Sequence, residues 1–266
     1  MAWGLLEHHH PASSEDFNMV NNQRGFTLVE IAIVLVIIGL LLGGILKGQE
    51  LVTAARVRNF ADQAASVQAA YYGFIDRYRA VPGDMLGTQV CGAIGDVVPN
   101  CPPVGVGGVA PLGGNGQIDA GNFGEAAAVW AHMTAAGFLQ GNYSGVAANA
   151  AAYILPGPPL VAPTNPWNGN LLLASTADYM VPAGSPAPPP RLHLIMGRNV
   201  PVNIMRELDV KVDDSQPASG ILRSASATPA AFGAVSGSAA GCVLVGPPAI
   251  WDINNAAQDC TGYFLY

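Results

Sequence analysis

The sequence predicts an α+β chain in which one long N-terminal helix leads into a loop-rich head. Three features predict it. Proline is absent from Phe26 to Val81, so nothing there removes a helical hydrogen bond. That stretch is first continuously apolar and then amphipathic, a helical pattern throughout. Beyond Pro82, helix-like and strand-like patterns alternate with runs rich in Gly and Pro.

The apolar run Ile31 to Leu46, with Phe26, Leu28 and Val29 before it, gives about 20 helical residues, long enough to cross a bilayer. A secretory signal peptide would have a shorter apolar core and an Ala-x-Ala-like cleavage site after it. The sequence instead continues as Lys47-Gly-Gln-Glu50, so the segment is expected to stay in the mature chain. One carboxylate, Glu30, sits near its start, and an acid in such a segment is costly enough to imply a function.

From Lys47 to Val81 the pattern becomes one-sided. Val57, Phe60, Ala64, Val67, Tyr71, Phe74 and Tyr78 recur at steps of three and four, while Arg56, Arg58, Asp62, Gln63, Gln68, Asp76 and Arg77 lie opposite. The aromatic stripe is expected to pack against the head. Pro82-Gly83 ends the helix. Its length would be about 80 Å at 1.5 Å per residue.

The head, residues 82–266, reads as short elements joined by long loops. A loop is expected from Pro82 to Gly121. A helix follows from Asn122, its cap, to Phe138, with Gly137 as its stop. Pro156 to Pro166 and Pro182 to Pro190 read as extended segments. Arg191 to Met196, Gly220 to Arg223 and Thr261 to Tyr266 read as strands, and Asn203 to Val212 as a short helix.

Composition narrows the function. The 266-residue chain has a formal charge of −7 and only 11% charged residues, which argues against nucleic-acid binding through clustered Lys and Arg. Four cysteines fall in two local pairs, Cys91 with Cys101 and Cys242 with Cys260. In an oxidising compartment two disulfides are expected, and buried thiols are the alternative. Zinc-finger spacing is absent. So are the Gly-x-Ser-x-Gly, His-Glu-x-x-His and phosphate-loop motifs, and no catalytic residue is named. His132 and His193 fall within a helix and a strand and read as packing or surface residues.

Arg24-Gly-Phe-Thr-Leu-Val-Glu30 and the apolar run behind it closely resemble the prepilin signal of type IV pilins and type II secretion pseudopilins. The resemblance implies cleavage by a prepilin peptidase between Gly25 and Phe26, with N-methylation of the new N-terminus at Phe26. It makes Glu30 the fifth residue of the mature chain and assigns it the family's assembly role. A buried carboxylate needs a cation, and the N-terminal amine of a neighbouring subunit can supply it and set axial register. It also implies the pilin-like fold, with the long helix packed on a small antiparallel β-sheet head. On this reading residues 1–25 are a leader, 26–46 the transmembrane and polymerisation helix, 47–81 its amphipathic half, and 82–266 the head. "RYRAVPGD" (Arg77 to Asp84) resembles a second, weaker family pattern at the join of helix and head.

Two features depart from the family pattern. The first 18 residues hold Glu7, Glu15 and Asp16 but no Lys or Arg. A start at Met19 would give a typical short leader, and His8-His9-His10 would then be discarded rather than bind metal. Lys47 stands where many type IV pilins have a helix-loosening proline. Gly39, Gly43 and Gly44 remain as weak points at about 1 kcal/mol each.

The resemblance further implies partners and place. The chain would sit in the inner membrane as a single pass with a periplasmic head. With an assembly platform it would then join other pilins in a surface pilus or a periplasmic pseudopilus. A Cys242–Cys260 disulfide would resemble the C-terminal loop staple of many type IV pilins. Asp209, Asp213 and Asp214 read more simply as a solvated acidic turn, with calcium, which some pseudopilin heads hold, as the alternative. Gly113 to Asn122 reads as a plain turn. A rival from another class is a signal-anchored surface protein that binds or adheres without being processed. A membrane-anchored hydrolase would need a Ser, His or Asp set that the sequence does not name.

Overall fold

The computed structural model describes residues 26–95, 113–154, 160–226, 231–237 and 240–266. Two units divide the chain, Met1–Glu50 and Leu51–Tyr266. Helix α1 (Leu28–Tyr78) supplies the described part of the first and opens the second.

In the first unit the helix exposes its apolar side chains all round. Ile31, Val34, Leu35, Ile38, Leu41 and Leu46 are all exposed. This part of α1 is long and apolar enough to cross a membrane.

The second unit has the α+β pilin-like architecture. The expected stripe is the buried face of α1: Val57, Phe60, Ala64, Val67, Tyr71 and Phe74, joined by Ala70, are buried, and Tyr78 at its end is half-buried. A four-stranded antiparallel sheet has the order β1-β2-β6-β3. Its strands are β1 (Leu172–Thr176), β2 (Arg191–Ile195), β3 (Leu222–Ser224) and β6 (Gly262–Leu265). The C-terminal strand β6 is central, pairing Leu194 with Phe264 on one side and Leu222 with Phe264 on the other. That position explains its full burial.

Several contacts tie α1 into this head. Phe60 meets Trp167 with ring centroids 5.9 Å apart, and Phe74 meets Phe138 at 6.1 Å. The Tyr266 hydroxyl donates to the Ala64 carbonyl at 2.9 Å, fastening the C-terminus to the helix. Helix α3 (Phe123–Ala135) is capped by Asn122, whose side chain accepts from the N–H groups of Gly124 and Glu125. It packs on β1 and ends at Gly137, which has φ +80°.

The structure adds elements where the sequence reads as loop. Helix α2 (Gly87–Ile94) lies within the expected Pro82 to Gly121 loop and carries Cys91. Short helices α4 (Ala150–Ile154) and α6 (Gly233–Ser236) accompany it. A second, two-stranded sheet pairs β4 (Val243–Leu244) with β5 (Ile250–Trp251). Helix α5 (Val202–Val212) and strands β2, β3 and β6 lie within a residue or two of their expected places.

Candidate functional site

At the head of α1, Thr27 and Glu30 form a reciprocal cap. The Thr27 backbone N–H and hydroxyl both donate to Glu30 Oε2, each at 2.8 Å, and the Glu30 N–H donates to Thr27 Oγ1 at 3.2 Å. This is the capping box, in which two otherwise orphaned N–H groups are satisfied. The Glu30 carboxylate is therefore held at the N-terminal end of α1 by Thr27, while its Oε1 makes no contact within this cap. Phe26 is exposed. Gly25 lies outside the described residues.

This segment is also where the chain matches a known family. The prokaryotic N-terminal methylation motif matches residues 20–46. The chain carries a prepilin-type signal. The matched span ends at Leu46, the last residue of the apolar run, and includes Gly25, Phe26, Thr27 and Glu30. A prepilin signal joined to a long apolar helix fits membrane anchoring. No curated protein and no solved structure matches the chain.

In the head, Cys242 and Cys260 form a disulfide. It closes a loop that contains the β4–β5 hairpin and joins it to the residue two before β6. Cys91 is also disulfide-bonded. Cys101 lies outside the described residues.

Asp209, Asp213 and Asp214 meet at the end of α5, with one carboxylate oxygen of each within 4.8 Å of the others. Their surroundings differ. Asp213 Oδ2 accepts from the N–H groups of Ile221 and Leu222, holding the start of β3. Asp214 accepts from the Gln216 N–H at 2.9 Å and the Ser219 hydroxyl at 2.5 Å. A side chain at Gly220, which has φ +68°, would collide with the Asp213 carboxylate. Asp209 is fully buried. Its Oδ2 accepts from the Trp251 indole at 2.6 Å, and its Oδ1 has no hydrogen bond of normal geometry. Burial pushes its pKa up to about 6, the nearby Asp214 and Asp213 charges adding to the rise and the Trp251 indole opposing it.

A second carboxylate cluster sits where "VPGD" meets the glycine loop. Asp84 accepts from the N–H groups of Gly114, Asn115 and Gly116, at 2.6, 3.3 and 2.5 Å. Glu125 accepts from Gly113 and Asp119 at 2.9 and 2.7 Å. Burial raises the Glu125 pKa, with those N–H groups opposing. Gly83 has φ +91°, and a Cβ there would meet the Glu125 carbonyl and Val129. Its N–H donates to His132 Nδ1 at 3.0 Å. These bonds tie the end of α1, the glycine loop and α3 together. They give the "VPGD" pattern and the plain turn at Gly113 to Asn122 a structural role.

Thr27 and Trp251 are the contributors that sequence reasoning missed. Thr27 is legible as the first residue of a Thr-x-x-Glu box before an apolar run. Trp251 has no such local signal, because its partner is 42 residues away.

Proposed function

We propose that the chain is a structural subunit of a type IV pilus or type II secretion pseudopilus. A prepilin peptidase cuts it between Gly25 and Phe26, Phe26 is N-methylated, and subunits assemble through the N-terminal helix. One observation carries this reading: the methylation motif at residues 20–46 takes in the whole apolar run to Leu46, and Glu30 is the only acid between residues 26 and 46. Residues 1–25 are then leader, 26–46 the polymerisation segment, 47–81 the amphipathic half and 82–266 the head. The motif supports a structural subunit.

Assembly would bury the exposed apolar side chains of α1 against neighbouring helices. Each large aliphatic side chain removed from its surroundings contributes through close packing. Glu30 supplies register rather than most of the attraction. Its carboxylate, held by Thr27, would accept the N-terminal amine of the next subunit.

The test is location together with Glu30. Sheared surface filaments and the inner-membrane fraction are probed for the wild-type chain and for Glu30→Ala. A pilus subunit is found in the sheared fraction, and a pseudopilus subunit stays with the membrane and periplasm. Glu30→Ala is expected to insert normally and assemble poorly. Normal filament yield from that variant would remove the role assigned to Glu30. A signal-anchored surface protein would instead stay unprocessed and be independent of the assembly platform.

A second reading concerns the acidic corner. We infer that Asp209, Asp213 and Asp214 hold a divalent cation of the calcium type, favoured by the buried, unsatisfied Asp209 Oδ1. Hard oxygen donors suit that ion. Bound there, it would balance the converging negative charges and fix the turn before β3.

A further inference from the structure

We propose that the β4–β5 hairpin of one subunit docks in a groove on the outer side of α1 of a second copy of this chain. The inference rests on the filament reading above and adds to it a specific head-to-head contact.

The hairpin is divided into an anchored and an open side. Trp251 is buried and its indole is bonded to Asp209, while Cys242 is buried in the disulfide. Leu244 and Ile250, directly paired across the two strands, are instead 48% and 47% exposed. Val245 beside them is 78% exposed and Ile253 is 50% exposed. Four large aliphatic side chains thus stand in solvent on one short, disulfide-closed element. Exposed large aliphatic side chains gathered within one short loop in this way mark an interaction site. The covalent closure also limits the ordering cost when the hairpin docks.

Charge narrows the partner. From Ser224 to Tyr266 the sequence has no Lys or Arg and two acids, Asp252 and Asp259. Asp259 is paired with Arg198 at 2.5 Å. Asp252, next to Trp251 at the hairpin's end, has no ion pair among the described residues. The surface is therefore apolar with an acidic edge, which fits a groove that mixes small apolar side chains with polar and basic ones.

The same chain presents such a groove. A cavity of about 660 Å³ runs along α1 past Leu51, Ala54 and Ala55 to Lys211 of α5. A smaller hollow of about 250 Å³ adjoins it through the shared Ala55 and Asn59, with Val52 and Pro166 in its wall. Leu51 and Val52 are exposed there. Arg56, Arg58 and Lys211 edge the two hollows against the single acid Asp62. There is room for several aliphatic side chains, with cations placed to meet Asp252.

Hairpin and groove share no residue. A contact between two different surfaces of identical copies is heterologous, and unless its rotation closes a ring it repeats into an open helix. A filament needs that kind of contact. Helix assembly would bring the heads together at high effective concentration, so a weak contact is enough to fix their rotation.

The test places a benzophenone amino acid at position 245, in place of Val245, in the full-length chain made in its own cells. Position 183, exposed and outside the hairpin and the groove lining, serves as control. After illumination, cross-linked peptides are identified by mass spectrometry. The expected result is an adduct from position 245 to residues 51–66 or to the Lys211 region of a second copy, with none from position 183. An adduct to lipid, to an unrelated protein or to another face of the chain overturns the proposal, and so does no adduct. The N-terminal peptide in the same digest separates two kinds of failure. A methylated N-terminus without the cross-link refutes the docking surface alone. An uncut leader refutes the filament reading beneath it.

Discussion

Glu30 Oε2 accepts two hydrogen bonds from Thr27, one from its backbone N–H and one from its hydroxyl, each at 2.8 Å. The acid to which the proposed function gives the assembly role is thus anchored within its own chain. Thr27→Val removes the hydroxyl while keeping the shape. Loss of a cap of this kind costs about 1 kcal/mol. Filament yield is expected to fall about fivefold with membrane insertion unchanged, a smaller loss than that from Glu30→Ala. Quantitative blotting of sheared and membrane fractions checks it, and yields equal to wild type would show that Thr27 does not position Glu30.

The Cys242–Cys260 disulfide closes a loop with a sequence separation of 18. Cross-links over such loops contribute about 2–4 kcal/mol, largely by restricting the unfolded chain. The double variant Cys242→Ser with Cys260→Ser is expected to unfold at lower denaturant concentration in detergent. Protease should cut first within the released hairpin. An unchanged midpoint would mean that Trp251 and β6 hold the loop alone.

Two buried histidines predict acid sensitivity. Burial lowers the pKa of His132 to about 4, and burial lowers that of His193 to about 4. Both are neutral in the fold, and His132 needs Nδ1 unprotonated to accept from Gly83. In the unfolded chain they gain protons near pH 6.5. The unfolded state therefore binds more protons between pH 6.5 and 4, and stability falls as pH drops through that window. Each histidine contributes at most about 1.4 kcal/mol per pH unit there. Asp209, raised to about 6, works in the opposite direction: between pH 3.8 and 6 the unfolded chain loses this proton while the fold keeps it, so stability falls as pH rises through that window. Unfolding midpoints at pH 5 and 7 for wild type and His193→Phe measure the histidine share. A variant with the same acid sensitivity as wild type would exclude His193 as a contributor.

The acidic corner predicts cation-linked stability. Calcium at 100 times its dissociation constant would add about 2.7 kcal/mol. Thermal unfolding is expected to shift upward with calcium and back with a chelator at pH 7. The shift should shrink below pH 6 as Asp209 takes up a proton. Asp209→Asn should abolish it. A wild-type protein indifferent to calcium would leave the three aspartates only their hydrogen bonds to the loop.

Much of this fold was legible locally. The long helix followed from the missing prolines and from the Val57 to Phe74 stripe, and α3 from its Asn122 cap. Strand β1 was missed because Leu171-Leu-Leu173 is a continuous apolar run, which periodicity cannot assign to helix or strand. The β4–β5 hairpin has two residues per strand around Pro247-Pro248, too short to show alternation. Asp84 could be singled out within "VPGD", but its partners Gly114, Asn115 and Gly116 are 30 to 32 residues away. The Asp209 and Trp251 pair is likewise set by tertiary packing. Conversely, the prepilin signal is a contiguous chemical pattern, so it could be read directly.

The most direct measurement is the mass of the N-terminal peptide of the mature chain, isolated from filaments and from membranes. A peptide beginning at Phe26 and carrying one N-methyl group is the predicted result. A peptide that still joins Gly25 to Phe26 in both fractions would contradict the prepilin reading and leave an unprocessed membrane anchor.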